Sequence, residues 1–167
     1  MKPNYLTILI TTLCIFFNAC HNSNTAPQLQ LADSLIDKRA DSALCILEKL
    51  SIEEISNKSA KAMYALLLTE ALDKNFKSHR NDSLILIAVD YYKDNSNNKL
   101  KTKAYYYLGR VYQDNKEYIK ATEAYLTALK TASPNQAPIL QIYNNLALCY
   151  ESQEFYLPAI KTYKESY

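Results

Sequence analysis

Few residues of this 167-residue chain have side chains that could carry out catalysis or hold a metal ion. It has two histidines, His21 and His79, and neither stands in a cysteine, carboxylate and histidine set with metal-ligand spacing, or beside a plausible nucleophile. Gly109 is the single glycine, whereas a phosphate-binding loop or a dinucleotide-binding fingerprint needs several glycines close together. The sequence therefore predicts no catalytic residues, no metal site and no cofactor.

One cysteine is placed for a covalent modification. Leu6–Phe17 is an apolar run interrupted only by threonines, and it follows the positive charge of Lys2. A helix that spans a bilayer needs about 20 residues, so this run is too short. It has the length of the apolar part of a signal peptide, and it ends in Ala19-Cys20 before a polar string.

This N-terminus resembles a bacterial lipoprotein signal, in which the cysteine after a small residue is lipidated after cleavage. Phe17 and Asn18 depart from the commonest form of that signal. The resemblance implies a signal peptide over residues 1–19, lipidation of Cys20 and a flexible tether over residues 20–27. A plain signal peptide with an incidental cysteine, or an uncleaved anchor, remains open at this point.

Net charge and the other cysteines add little chemistry. The formal charge of +2 gives no electrostatic case for binding nucleic acid. Cys14 would leave with the signal peptide, so Cys45 and Cys149 remain beside Cys20. Both lie among apolar residues at helical spacing, and we expect small core residues rather than a disulfide.

The elements that must position any binding residues are helices. Apolar residues recur at three- and four-residue spacing from residue 28 almost to the end, and no convincing alternation typical of strands occurs. We predict an all-α chain of about eight helices in four hairpins, with the helix starts at Asp41-Ser42 and Asp82-Ser83 capped by side chains. The predicted helices cover residues 28–38, 41–50, 57–74, 82–93, 99–115, 117–131, 137–152 and 155–167.

A pattern of aromatic, leucine and small residues occurs twice, first from Tyr105 and again from Tyr143. It resembles the tetratricopeptide repeat, whose helix-turn-helix units stack into a right-handed superhelical solenoid. The resemblance implies two degenerate hairpins over residues 28–98 and two repeat motifs over residues 99–167, the last of them incomplete. The motif residues are Leu108, Gly109, Tyr112, Ala121, Tyr125 and Ala128 in the first copy, and Leu146, Ala147, Tyr150, Ala159 and Tyr163 in the second.

The motif implies a packing role for its small residues. Gly109 would lie where the two helices of a hairpin approach most closely, so that a side chain larger than alanine would push them apart. Ala147 is the equivalent residue in the second copy. Tyr125 would pack between Ala121 and Ala128.

The resemblance also implies a binding surface, because such solenoids hold peptides on the concave face formed by the first helix of each hairpin. Tyrosine and arginine bring large area and directed donors, and side-chain amides can bond a peptide backbone. The candidate groove residues are Lys103, Tyr106, Tyr107, Arg110, Gln113, Gln141, Asn144, Asn145 and Leu148. Ordinary packed or solvated residues at these positions are the alternative.

The run Asp82–Tyr92 followed by Tyr105–Tyr112 is similar to the N-terminal part of tetratricopeptide lipoproteins from Bacteroides-like bacteria. That resemblance implies a lipid-anchored, non-enzymatic scaffold that faces the periplasm, with the outer membrane favoured over the inner. It further implies a sensing role and a longer parent architecture. The expected partners are a protein or peptide and the membrane, not nucleic acid.

Two further expectations follow. The last hairpin has no following repeat, so the chain is expected to self-associate through it or to fray there. The alternative function is nutrient capture by a SusD-like glycan-binding lipoprotein, a group that combines a lipid anchor with such repeats. Those proteins build their site from tryptophan and inserted segments, and this sequence has no tryptophan.

Overall fold

The computed structural model describes residues 25–79, 81–133 and 138–165, so the expected signal peptide and Cys20 lie outside the described residues. Within these ranges the chain forms eight α-helices and one short 3-10 helix, without a strand. None of the helices in these ranges has both the length and the apolar character needed to cross a membrane. The helices are α1 (Thr25–Leu35), α2 (Ala40–Leu47), the 3-10 helix (Ile52–Glu54), α3 (Lys58–Lys74), α4 (Ser83–Tyr92), α5 (Asn98–Asp114), α6 (Tyr118–Thr131), α7 (Ile139–Ser152) and α8 (Tyr156–Glu165).

These helices form four hairpins that stack in chain order, as the periodicity predicts. Each helix packs against the next one along the chain, and the first helices of successive hairpins, α1, α3, α5 and α7, also contact one another. Observed and predicted boundaries agree within about three residues. The main difference is that α1 begins at Thr25, inside the segment expected to be a tether.

Helix starts differ from the predicted capping at two places. Asp82 makes no capping bond at the start of α4; instead Ser83 N–H donates to Asn81 Oδ1 at 3.1 Å. The Asp82 carboxylate accepts from the Tyr112 hydroxyl at 3.1 Å, so it joins two hairpins rather than capping its own helix. Similarly, α2 begins after Arg39 without a side-chain cap, and Asp41 lies inside the helix.

Three first helices end in the same turn although none of these turns contains glycine. Phe76, Lys116 and Glu154 have φ values of 55°, 60° and 63° and follow α3, α5 and α7. At each end a backbone N–H donates to the carbonyl five residues earlier, as in Lys77 to Leu72 at 3.0 Å and the equivalent bonds after α5 and α7. Since this motif recurs after α3, the second hairpin follows the same backbone plan as the two motif copies.

The core lies between the two helices of each hairpin and between neighbouring hairpins. One cluster of buried residues joins the first two hairpins and another joins the last three, and Leu84 packs against both. Tyr125 is fully buried between Ala121 and Ala128, as the motif predicts.

Gly109 is more constrained than the motif implies. A Cβ atom at this position would lie 2.4 Å from Cε1 of the Tyr125 ring. Alanine itself would therefore collide with the ring, and not only the larger side chains. The close approach is between the α5 backbone and one aromatic side chain of α6.

The two described cysteines are free, and they differ in burial. Cys149 is buried in the core, and burial raises the pKa of its thiol to about 11. Cys45 is exposed, so the prediction that it is a core residue is wrong. Helical spacing placed it next to the apolar stripe of α2, where Leu44 and Leu47 fill the core instead.

Candidate binding groove

The surface formed by α1, α3, α5 and α7 carries a row of charged side chains that link successive hairpins. Glu70 on α3 is buried and forms ion pairs with Lys103 of α5 and, at 3.2 Å, with Lys74. Lys74 also donates to Asp37, which lies just after α1, and this bond holds the pKa of Asp37 below its usual value. Lys103, a predicted groove residue, is therefore held at the junction of two hairpins.

Arg110 occupies a similar place on α5, about two helical turns after Lys103. Its Nε donates to Asp73 Oδ1 of α3 at 2.8 Å, and its Nη2 lies 4.0 Å from Asp114 Oδ1. Burial opposes the charge on the guanidinium, but the Asp73 carboxylate together with Tyr125 and Tyr106 outweighs it, so the pKa of Arg110 is raised. Arg110 is thus a fixed positive charge at the groove wall.

The predicted groove tyrosines and Gln113 lie on the core side of this surface. Tyr106 is 8% exposed and Tyr107 is 4% exposed, and their rings meet edge to face with centroids 4.9 Å apart. Gln113 Oε1 accepts from the buried Tyr125 hydroxyl at 2.7 Å. The structure therefore gives these three side chains packing contacts rather than open surface.

Burial also makes these two phenols harder to ionise. It raises the pKa of Tyr106 and, more strongly, that of Tyr107, to which the nearby Glu70 carboxylate adds. Asn145 Nδ2 of α7 donates to the Tyr106 hydroxyl at 3.4 Å, so the tyrosine joins α5 to the next hairpin.

The other α7 residues of the predicted groove remain accessible. Gln141 is exposed, Asn144 is half-buried, and Leu148 is 42% exposed. They occupy the repeat positions that Lys103, Tyr106 and Arg110 occupy on α5. The groove thus combines a charge-paired wall on α3 and α5 with an amide and apolar wall on α7.

Comparison with solved structures places this arrangement among known folds. A crystal structure titled as that of MamA protein matches with a TM-score of 0.62 and 22% identity, covering 86% of this chain and 71% of that chain. A second structure of MamA matches with a TM-score of 0.62 and 21% identity, covering 87% of this chain and 78% of that one. The fold is a tetratricopeptide-type solenoid. No family model and no curated protein matches the sequence.

The solenoid also brings together three residues that sequence reasoning did not connect. Asp73 near the end of α3, His79 in the α3–α4 connection and Asp114 at the end of α5 have side-chain ligand atoms within 4.8 Å of one another. Sequence analysis predicted no metal-ligand set because Asp114 is remote from the other two in the chain. Only the register in which hairpins two and three stack places it there, and no local motif signals that register.

What the solenoid can do chemically follows from its accessible groups. Its groove offers side-chain amides, an apolar side chain and paired charges, which suit recognition of an extended or helical peptide.

Proposed function

We propose that this solenoid is a non-enzymatic scaffold that binds a protein or peptide on the face formed by α5 and α7. The proposal is supported by the accessible face of α7. There Gln141, Asn144 and Leu148 keep solvent-accessible groups beside the row of ion-paired side chains on α3 and α5. Amide side chains can pair with both groups of a peptide backbone, and an exposed leucine can accept an apolar side chain. The charges in the row on α3 and α5 are already paired with one another. They would therefore help to select and align a ligand more than they would attract it over a distance.

Substitution on the two faces of the solenoid tests this function. The combined variant Gln141→Ala, Leu148→Ala removes groove surface without touching a buried side chain. The matched control is Ile119→Ala on α6, whose side chain is 69% exposed and lies outside the groove. Proteins enriched from envelope extract would be quantified for the parent chain and both variants, after circular dichroism has shown equal helicity.

The proposal predicts that at least one enriched protein is lost with the groove variant and retained with the Ile119 variant. Equal retention by all three chains would contradict binding at this face. A protein that is lost with both variants does not report on the groove, because the Ile119 variant leaves the groove unchanged.

We further propose that the scaffold is anchored to the cell envelope by a lipid on Cys20 and faces the periplasm. The proposal is supported by the apolar N-terminal run and by the alanine directly before the cysteine. Cys20→Ser should abolish metabolic labelling by palmitate and release the chain from the membrane fraction, because anchoring then lacks its acyl chains. A variant that stays with the membrane would contradict the anchor. A sensing role in a regulatory protein is part of the same proposal and rests on the Bacteroides-type resemblance.

We also propose that two copies of the chain associate through the last hairpin. The outward face of α8 carries accessible apolar side chains, with Leu157 82% exposed and Ile160 52% exposed. Buried on contact, such groups would stabilise a pair of α8 helices by the hydrophobic effect. Light scattering should show concentration-dependent association that Leu157→Glu abolishes and Ile119→Glu on α6 preserves. A monomer at high concentration would contradict it.

A further inference from the structure

His79 is a buried histidine whose Nε2 atom has no hydrogen-bond partner among the described residues. Its side chain is only 3% exposed. Nε2 lies 4.0 Å from Asp73 Oδ1 and 3.8 Å from Asp114 Oδ2. A buried polar atom that faces two carboxylates without bonding either one needs a physical reason, since such atoms are normally paired.

The spacing of these three groups is too wide for direct hydrogen bonds and suits an ion between them. Direct bonds from a ring N–H to a carboxylate would be about 2.7–2.9 Å long. A zinc ion binds imidazole nitrogen at about 2.0–2.1 Å and carboxylate oxygen at about 2.0–2.2 Å. Ligand atoms around a tetrahedral ion with these bond lengths stand about 3.4 Å apart. The two distances from His79 Nε2, 4.0 Å and 3.8 Å, are therefore about half an ångström longer than such an ion requires.

We propose that Asp73, His79 and Asp114 form a binding site for a divalent cation of the zinc type. One imidazole with two carboxylates is a donor set that suits zinc better than magnesium or calcium, which prefer oxygen ligands alone. The site joins the end of α3, the α3–α4 connection and the end of α5. A bound ion would therefore link two neighbouring hairpins.

Access and coordination geometry support an open site. A cavity of about 280 Å³ is lined by both carboxylates, Asp73 and Asp114, and by Ser78, the residue before His79. Solvent can reach a bound ion from this side and supply the fourth ligand. The remaining cavity walls are formed by Phe76, Lys77 and Arg110.

The charges around the site are compatible with a cation. Two carboxylates face a single guanidinium, that of Arg110, whose Nε bonds Asp73 Oδ1 at 2.8 Å. Arg110 is farther from Asp114, at 4.0 Å, and therefore leaves that carboxylate without a close cationic partner in the cluster. Arg110 would orient Asp73, as partners behind metal ligands commonly do.

Isothermal titration of the purified full chain with zinc chloride, after removal of metal by a chelator, tests the site. The variants are His79→Gln and Asp114→Asn, and the second changes a partly exposed side chain at a helix end. The matched controls are His21→Gln, which removes the other histidine, and Cys45→Ser, which removes an exposed thiol that could bind zinc. Circular dichroism of each metal-free variant reports folding.

We expect the parent chain and both controls to bind one equivalent of zinc. Each site variant should weaken binding at least tenfold, since a lost ligand removes a coordinate bond. Zinc should also raise the melting temperature of the parent chain and not that of Asp114→Asn, because a ligand that binds only the folded state stabilises it.

Three results would overturn the proposal. The first is absence of zinc binding by the parent chain at millimolar concentration. The second is undiminished binding by both site variants. The third is loss of binding in His21→Gln or Cys45→Ser, which would place the ion elsewhere. If His79→Gln fails to fold, Asp114→Asn alone decides between these outcomes.

Discussion

At the scale of single residues, the backbone of Gly109 and the ring of Tyr125 pack closely in the third hairpin. The missing Cβ of Gly109 leaves room for an aromatic ring that is completely buried. The Tyr125 hydroxyl donates a hydrogen bond to Gln113 Oε1, which lies on the same helix as the glycine. One residue without a side chain therefore allows both the packing and the hydrogen bond that close the hairpin.

Gly109→Ala should destabilise the protein although alanine is the better helix former. Alanine in a helix gains about 1 kcal/mol over glycine, whereas a forced clash in a packed core costs about 1–3 kcal/mol. With Cβ 2.4 Å from the Tyr125 ring, we expect the clash to dominate. Urea unfolding of the parent and variant chains measures the difference.

A double-mutant cycle isolates that clash. In the background Tyr125→Leu the ring is gone, so Gly109→Ala should become neutral or stabilising. The same loss of stability in both backgrounds would show that Tyr125 is not what the new methyl group meets.

His79 connects protonation to folding in the metal-free protein. Burial lowers its pKa in the folded state from the ordinary 6.5, while Asp114, Asp73 and Arg110 are the charged groups that face it. As the pH falls through 6.5, the unfolded chain takes up a proton that the folded chain resists, so the folded state loses stability. Above that pH both states are neutral and the effect vanishes.

The free energy of unfolding, measured against pH in the presence of a chelator, tests this sign. The parent chain and the control His21→Gln should lose more stability between neutral and mildly acidic pH than His79→Gln does. Parallel profiles for all three chains would contradict a depressed pKa at His79.

At the scale of helices and turns, the apolar period and the polar breaks are enough to predict the hairpins. The predicted boundaries hold because three- and four-residue spacing defines a buried stripe and because asparagine-rich segments interrupt it. Side-chain caps are harder to predict, since several short polar residues compete at each helix start. Asn57 and Asn97 cap α3 and α5, whereas Asp82 is recruited by a tyrosine of the next hairpin.

The recurrent turn without glycine is an element that stability measurements can probe. Lys116 has a φ of 60°, a conformation that costs a residue with a side chain about 1 kcal/mol or more and that glycine adopts freely. Lys116→Gly should therefore raise the melting temperature. The matched control is Glu123→Gly at an exposed position inside α6, which should lower it because glycine weakens a helix interior by about 1 kcal/mol.

Thermal unfolding followed by circular dichroism compares the two variants directly. Opposite shifts support the left-handed turn after α5. If both substitutions lower the melting temperature equally, the turn stores no such strain.

At the scale of the whole molecule, the sequence predicts the solenoid better than its binding surface. The repeat pattern specifies which residues are small or aromatic, and its small residues and Tyr125 are buried in the core. Tyr112, Tyr150 and Tyr163 are only half-buried. It does not specify whether an aromatic residue of a first helix faces the groove or the neighbouring hairpin. Tyr106 and Tyr107 turn out to be packed because α3 and α7 lie on either side of them.

Features that depend on stacking register are likewise invisible in the sequence. Glu70, an ordinary helix residue by sequence, is the buried partner of lysines from its own helix and from the next hairpin. Asp114 reaches His79 for the same reason. Contacts between hairpins follow from a rotation per repeat that no local pattern encodes.

The proposed function depends on binding of a protein ligand on the face formed by α5 and α7. Site-specific photo-cross-linking in the native cells tests it most directly, with the photoreactive amino acid placed at Gln141 in the groove or at Ile119 on α6. Both side chains are exposed, so neither replacement should disturb packing. We expect a discrete cross-linked protein from position 141 and none of that product from position 119. No product from position 141, or the same products from both positions, would contradict a ligand in the groove.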